Sequence, residues 1–173
     1  NNLDAAVYSN LDVKRCIEQE LDKPFAICDL DRMEEKLQSA SRVLIIGDNA
    51  GEAVFDKIMI EALPKHLHVT YAVRREPIIN DVTVAEATEA GIGEVARILP
   101  SGCTAPGTML GECSEEFLEV YRNSDLIISK GQGNYEALSE EQDLFFLLKA
   151  KCPVLARRLN VPLNSYVLKY SGR

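Results

Sequence analysis

The sequence predicts an α/β fold: a three-layer α/β/α arrangement on a mainly parallel, Rossmann-like sheet, with a short helical segment at its N-terminus. Three observations predict it. Short runs rich in β-branched residues and leucine recur at 43–46, 67–73, 95–99 and 125–129; a run without polar alternation suits a strand covered on both faces. Stretches with apolar residues at helical spacing separate these runs. Each run is followed by a polar or glycine-bearing turn. Strands alternating with helices make βαβ units, whose right-handed crossovers put every strand-to-helix loop on one edge of the sheet. Ligands of such sheets bind at that edge.

Residues 1–40 are charged and partly helical. Within them 32–37 reads as helix with Asp29 or Asp31 as cap, and the stretch reads as the remnant of a larger helical region ahead of an α/β domain at 41–173. The run 43–46 ends in Gly47-Asp48-Asn49-Ala50-Gly51-Glu52. Phe55, Ile58, Met59, Ala62 and Leu63 then fall at i, i+3, i+4, i+7 and i+8, a helix that Pro64 stops. The alternating strand 67–73 leads through Arg74-Arg75-Glu76-Pro77 to Ile78-Ile79-Asn80-Asp81. Thr83 and Glu86 form a capping-box pattern for a helix reaching Ala90. The strand 95–99 closes in Pro100-Ser101-Gly102, a loop with Pro106 and Gly107 follows, and helix returns near 114–122. The strand 125–129 ends in Lys130-Gly131-Gln132-Gly133-Asn134-Tyr135-Glu136. Ser139-Glu140-Glu141-Gln142 predicts a helix running through Lys149, and 154–156 and 166–170 are expected as late strands around a turn at 160–164.

A length of 173 residues suits one domain. Nineteen basic against 27 acidic residues give a net charge of −8 and a pI near 4.9. That balance argues against a nucleic-acid partner, whose phosphates need Lys and Arg, and against docking on an anionic membrane. No apolar run nears the roughly 20 residues of a membrane span, and residues 1–12 lack the basic start and apolar stretch of a secretory leader. Five scattered cysteines (Cys16, Cys28, Cys103, Cys113, Cys152), without CxxC or a His pair at zinc spacing, fit reduced thiols and a cytoplasmic location.

Chemistry concentrates in the turns after strands. Asp48 and Asn49 offer oxygen donors, which suit hard divalent ions; a plain helix cap is the alternative for either. Because Thr83 serves as the next cap, Asn80 and Asp81 are left over, so Asp48, Asn49 and Asp81 from two loops could share one ion. In KGQGNYE, Lys130 and the backbone of a glycine-bearing helix start could hold an anion. The segment matches neither a Walker A loop nor GxGxxG, and a glycine-rich turn with a solvated lysine is its plainer reading. Ser101 could add a hydrogen bond to a substrate from the same edge. Asp29-Leu30-Asp31 only imitates the DxD of haloacid-dehalogenase-type phosphatases, His66 and His68 fit an edge better than a metal, and the cysteines lack the partners of a nucleophile.

GDNAGEAVFDK, PIINDVT, SDLIISKGQGNYEAL and LLKAKCPVLA, in this order, resemble the damage-control phosphatases, metal-dependent enzymes long catalogued as a domain of unknown function. The likeness is greatest to their stand-alone archaeal and bacterial branch. It spans 41–169, with AAVYSNLD at 5–12 an echo of a family AxxGNxxD stretch that carries Ser9 in place of Gly. The resemblance implies a divalent ion (Mn, Mg, Co or Ni) on Asp48, Asn49 and Asp81, with Lys130 touching phosphate and Asp48, Asp81 and Lys130 as the catalytic set. It also implies that Glu52, Asn80, Gly131 and Asn134 face a small phosphorylated metabolite, such as a sugar phosphate or a related damaged metabolite. Family members carry a further helical N-terminal region that is largely missing here. Direct attack by water and attack by Asp48 both remain open, with the ligand role favoured for Asp48. Two rival readings are a non-catalytic nucleotide- or sugar-phosphate-binding module and a small-molecule methyltransferase. Against the methyltransferase, strand two ends in Arg74-Arg75 where an acidic ribose-binding residue would be needed.

Overall fold

A computed structural model describes residues 20 and 22–172. The AAVYSNLD echo and Cys16 lie outside the described residues. The strands are β1 (Phe25–Cys28), β2 (Arg42–Ile46), β3 (His68–Val73), β4 (Arg97–Pro100), β5 (Leu126–Lys130), β6 (Phe145–Lys149) and β7 (Tyr166–Tyr170). They form one seven-stranded sheet in the order β1-β7-β6-β5-β2-β3-β4. The five strands from β6 to β4 are mutually parallel, whereas β7 runs antiparallel to β6 and carries β1 parallel to itself. The predicted mainly parallel α/β fold is what is found.

Among the described residues six α-helices cover the sheet: α1 (Leu30–Ser39), α2 (Ala53–Ala62), α3 (Val84–Glu89), α4 (Glu115–Asn123), α5 (Gln132–Leu138) and α6 (Pro153–Leu159). Alternate strand residues point to opposite faces. Val43, Ile45, Tyr71 and Val73 meet Leu37, Ala53, Ile60 and Ala87 of α1, α2 and α3 on one side. Leu44, Ile46 and Ala72 meet Phe117, Leu138, Leu155 and Leu159 of α4, α5 and α6 on the other. Both faces are therefore buried, which is why VLII carries no polar alternation; each such side chain contributes roughly 1.5–3 kcal/mol by leaving water. Residues 25–40 are continuous with this sheet: β1 pairs with β7, and Leu37 is buried in the first layer.

β2 is the pivot. From it the chain goes out to β3 and β4 on one side, then returns to place β5 on the other. The helices after β2 and β5 consequently lie on opposite faces of the sheet, which makes this the switch point where doubly wound sheets bind ligands.

Several local expectations are corrected. Residues 145–149 form β6, not the end of a helix: Phe145 is buried on one face and Phe146 on the other, a two-sided strand whose apolar run shows no period. The helix lies earlier, as α5, and opens inside KGQGN. Residues 154–156 belong to α6, with Pro153 in its first turn, a position that needs no N–H. Asp29 is the N-cap of α1 by position, but its carboxylate makes no cap bond and instead accepts the Tyr170 N–H at 2.7 Å. The Thr83–Glu86 capping box forms as expected. Among the described residues, no helix is long and apolar enough to cross a membrane.

Candidate active site

The loops after β2 and β3 are sewn together by backbone bonds. Val82 N–H donates to Asp48 O at 2.8 Å and Ala50 N–H to Asn80 O at 2.8 Å, with an antiparallel bridge between Asn49 and Asp81. Asp48, Asn49 and Asp81 thus stand together on the carboxyl rim. Asn49 Nδ2 donates to Asp48 Oδ2 at 2.6 Å and to Glu52 Oε1 at 2.9 Å, so among the described residues its own Oδ1 meets no protein donor. Asp81 Oδ2 accepts from Arg74 Nε at 2.7 Å, and among the described residues Oδ1 has no partner. Burial pushes the Asp48 carboxyl up to about 6, aided by the negative charges of Glu52 and Asp81 and opposed by Lys130 and Lys151.

Lys130 ends β5 and turns inward beneath this rim. Its ammonium lies 2.5 Å from Asp56 Oδ1 and 3.0 Å from Glu52 Oε2, and the residue is 7% exposed. Burial works to lower its pKa, but the charges and hydrogen bonds of Asp56 and Glu52 outweigh burial and hold it above the ordinary lysine value. Tyr71 O–H donates to the other Asp56 oxygen at 2.6 Å. Burial likewise works to raise Glu52, while Lys130 and Asn49 hold it low.

Gly131 follows at φ +83°, a conformation that favours glycine. A methyl group there would overlap the Asp48 carboxylate. Its N–H is bonded to Leu147 O at 3.0 Å and is not free for an anion. The Asn134 amide points wholly into protein: Nδ2 donates to Gly47 O at 3.0 Å and Lys130 O at 2.8 Å, while Oδ1 accepts from Arg74 Nη2 and Thr108 Oγ1, each at 2.9 Å. It frames the site and offers nothing to a ligand. The Asn80 residue is exposed and bonds through its backbone carbonyl. Ser101 is buried after β4, two strands away from β2; among the described residues its hydroxyl has no partner and makes no bond to the Asp48 group.

Sequence reading missed Arg74, Asp56, Thr108 and Lys151. Asp56 stood four residues after Glu52 on the same helix face, a spacing that could have paired them. Lys151 follows β6, the neighbour of β5; among the described residues its ammonium has no hydrogen-bond or ion-pair partner, and burial lowers its pKa against the opposing pull of Glu52 and Asp48.

The residues fit a hard divalent ion. Four carboxylates (Asp48, Glu52, Asp56, Asp81) face two buried cations, Arg74 and Lys130. Among the described residues no three His, Cys, Asp or Glu side chains group as a metal cage. The donors here are two carboxylates and an amide oxygen, an incomplete oxygen shell of the kind that leaves positions for water and phosphate.

The description of one protein family, the damage-control phosphatase ARMT1-like domain, matches residues 1–167. The chain belongs to this family. A damage-control phosphatase of Pyrococcus horikoshii is 40% identical over 172 residues, covering 96% of this chain and 60% of its own. A damage-control phosphatase of Archaeoglobus fulgidus is 32% identical, covering 98% and 61%. A crystal structure of a DUF89 family protein from Pyrococcus horikoshii superposes with a TM-score of 0.88 at 38% identity, over 92% of this chain and 57% of that one. The chain thus spans about three fifths of the length of these damage-control phosphatase relatives.

Proposed function

We propose that the chain is a metal-dependent phosphatase acting on phosphate monoesters of small metabolites, sugar phosphates or related damaged metabolites. The observation that carries this reading is the convergence of Asp48, Asn49 and Asp81, from two sewn loops, over the buried Lys130–Asp56–Glu52 group. Names borne by relatives that are 40% and 32% identical support it.

Asp48, Asn49 and Asp81 would hold a divalent ion such as Mn²⁺, Mg²⁺, Co²⁺ or Ni²⁺. When bound, the ion supplies neutralisation of charge on the transferring group and activation of water. The chain's own residues do the rest. Asn49 fixes the Asp48 carboxylate by its Nδ2 bond, which suits a ligand better than a nucleophile. Arg74 turns one Asp81 oxygen away from the rim. Lys130, fixed in place by Asp56 and Glu52, would offer its ammonium to a phosphoryl oxygen. Lys151, whose ammonium has no partner among the described residues, would meet the phosphoryl oxygens from the neighbouring strand end. Preorganised charges of this kind act where transition-state charge develops.

The test is phosphate release from a sugar-phosphate panel with each of the four ions, against EDTA and Asp48→Ala controls. Release that needs the ion and Asp48 is expected. Release surviving both controls overturns the metal role; no release with any ion overturns the hydrolase reading and leaves a phosphate-binding module.

A further inference from the structure

Arg74 is a buried branching point of the rim. It directly follows β3 and is 3% exposed. Its three guanidinium nitrogens go to three different segments: Nε to Asp81 Oδ2 at 2.7 Å, Nη1 to Thr108 Oγ1 at 3.0 Å and Nη2 to Asn134 Oδ1 at 2.9 Å. Thr108 bonds Asn134 as well, closing a triangle. Asn134 passes the constraint on to Gly47 O, the carbonyl just before Asp48, and to Lys130 O. One planar, permanently charged fork therefore joins the loop after β3, the loop after β4 and the first turn of α5, and reaches the β2 loop through Asn134.

Two features of this geometry go beyond filling space. The Nε contact holds Asp81 Oδ2, and among the described residues leaves Oδ1 unbonded. The Nη2 contact fixes Asn134, whose Nδ2 holds the backbone of Lys130. The cation-holding carboxylate and the lysine turn are thus tied to the same rigid group. A displacement of Asp81 must move the guanidinium, then Asn134, then the carbonyls of Gly47 and Lys130. A lysine at 74 would supply charge to one partner but could not span three.

We propose that Arg74 is a positioning residue that couples the two halves of the site, so that a divalent cation bound at Asp48, Asn49 and Asp81 and a phosphate group bound beside Lys130 each strengthen the other's binding. The ligands named here rest on the phosphatase reading; the coupling is measured without turnover.

The experiment is calorimetric titration of the protein with Mn²⁺ alone, with inorganic phosphate alone, and with each in the presence of the other. The wild-type protein, Arg74→Lys and Thr108→Val are compared, with circular dichroism and Tm recorded for each. Wild type is expected to bind Mn²⁺ roughly 5-fold or more tightly when phosphate is saturating, and phosphate more tightly by the same factor with Mn²⁺. Arg74→Lys is expected to lower both factors, leaving only the part that comes from direct contact between ion and phosphate. Thr108→Val, which leaves the Asp81 contact in place, is expected to keep Mn²⁺ affinity but lower the coupling. Equal coupling in Arg74→Lys and wild type overturns the proposal, as does wild type that binds both ligands independently. If Arg74→Lys does not fold, undiminished coupling in Thr108→Val overturns it. Coupling that is lost in the variants while no substrate releases phosphate supports the coupling and overturns only the hydrolase reading.

Discussion

The α-carbon of Gly131 faces the Asp48 carboxylate so closely that a methyl group on it would overlap the carboxyl carbon and both oxygens. This contact exists because β5 lies beside β2 and both loops leave the sheet at the switch point. The same glycine holds φ at +83°, which any other residue adopts only with strain. With ψ at 165°, Gly131→Ala is therefore expected to cost roughly 1–3 kcal/mol from backbone strain alone, and to displace Asp48 as well. Gly51→Ala, where nothing lies within 4 Å of an added methyl, is the control and is expected to be near neutral. Urea denaturation and Mn²⁺ titration of both variants check this; equal behaviour would contradict the close approach.

The raised Asp48 pKa makes a statement about the metal-free protein. Its carboxyl titrates near 6 when folded, against an ordinary value of 3.8. The folded state then binds the proton more tightly than the unfolded state, so this group's contribution is fully present below pH 3.8 and is lost as pH rises through 6. At neutral pH the ionised carboxylate opposes folding by on the order of 2 kcal/mol, allowing for its partial exposure. Asp48→Asn is expected to be more stable than wild type at pH 7.5 in EDTA, with the advantage gone by pH 4. Adding Mn²⁺ should reverse the order at pH 7.5. Denaturation curves at the two pH values decide it.

Much of the fold was legible because burial leaves marks in short windows. The VLII run and the Leu126–Lys130 strand carry no polar alternation because helices cover both faces. Phe145–Lys149 was not legible for the same reason in reverse: an apolar run of this length has no period, and the SEEQ segment before it imitates a helix cap. The oxygen donors Asp48, Asn49 and Asp81 stood out locally, since Thr83 had already taken the capping task. Arg74 and Asp56 did not. Their meaning lies in partners up to 60 and 74 positions away, and only the adjacency of β2 to β5 and β3 brings those partners together.

The Lys130–Asp56 pair is an interior ion pair whose partners are 9% and 4% exposed at the side chain. Removing Asp56 leaves the buried Lys130 with Glu52 alone, a loss below the roughly 3–5 kcal/mol of a fully orphaned buried charge. Asp56→Ala also strips Tyr71 O–H of its acceptor. It is expected to lower Tm sharply, while Lys130→Met combined with Asp56→Leu recovers most of the loss and remains inactive. Thermal denaturation with a parallel phosphate-release assay checks both halves. If the double variant were as unstable as Asp56→Ala, the charge argument would fail.

Lys151 is expected to act on substrate and hardly at all on folding. Its residue is exposed, its ammonium has no partner among the described residues, and it lies within the electrostatic reach of Glu52 and Asp48. Removing it therefore breaks no bond to the described residues. A charge-assisted contact to a phosphoryl oxygen contributes roughly 1.5–3 kcal/mol; at an exposed position the lower end applies, about a tenfold change in affinity. Lys151→Ala should accordingly leave Tm unchanged and raise KM about tenfold with a smaller change in kcat, because the contact exists before and during transfer alike. Lys151→Arg should restore much of the loss, and added salt should weaken substrate binding less in Lys151→Ala than in wild type. A fall in kcat with unchanged KM would instead mean that the ammonium meets charge only as the phosphorus–oxygen bond breaks.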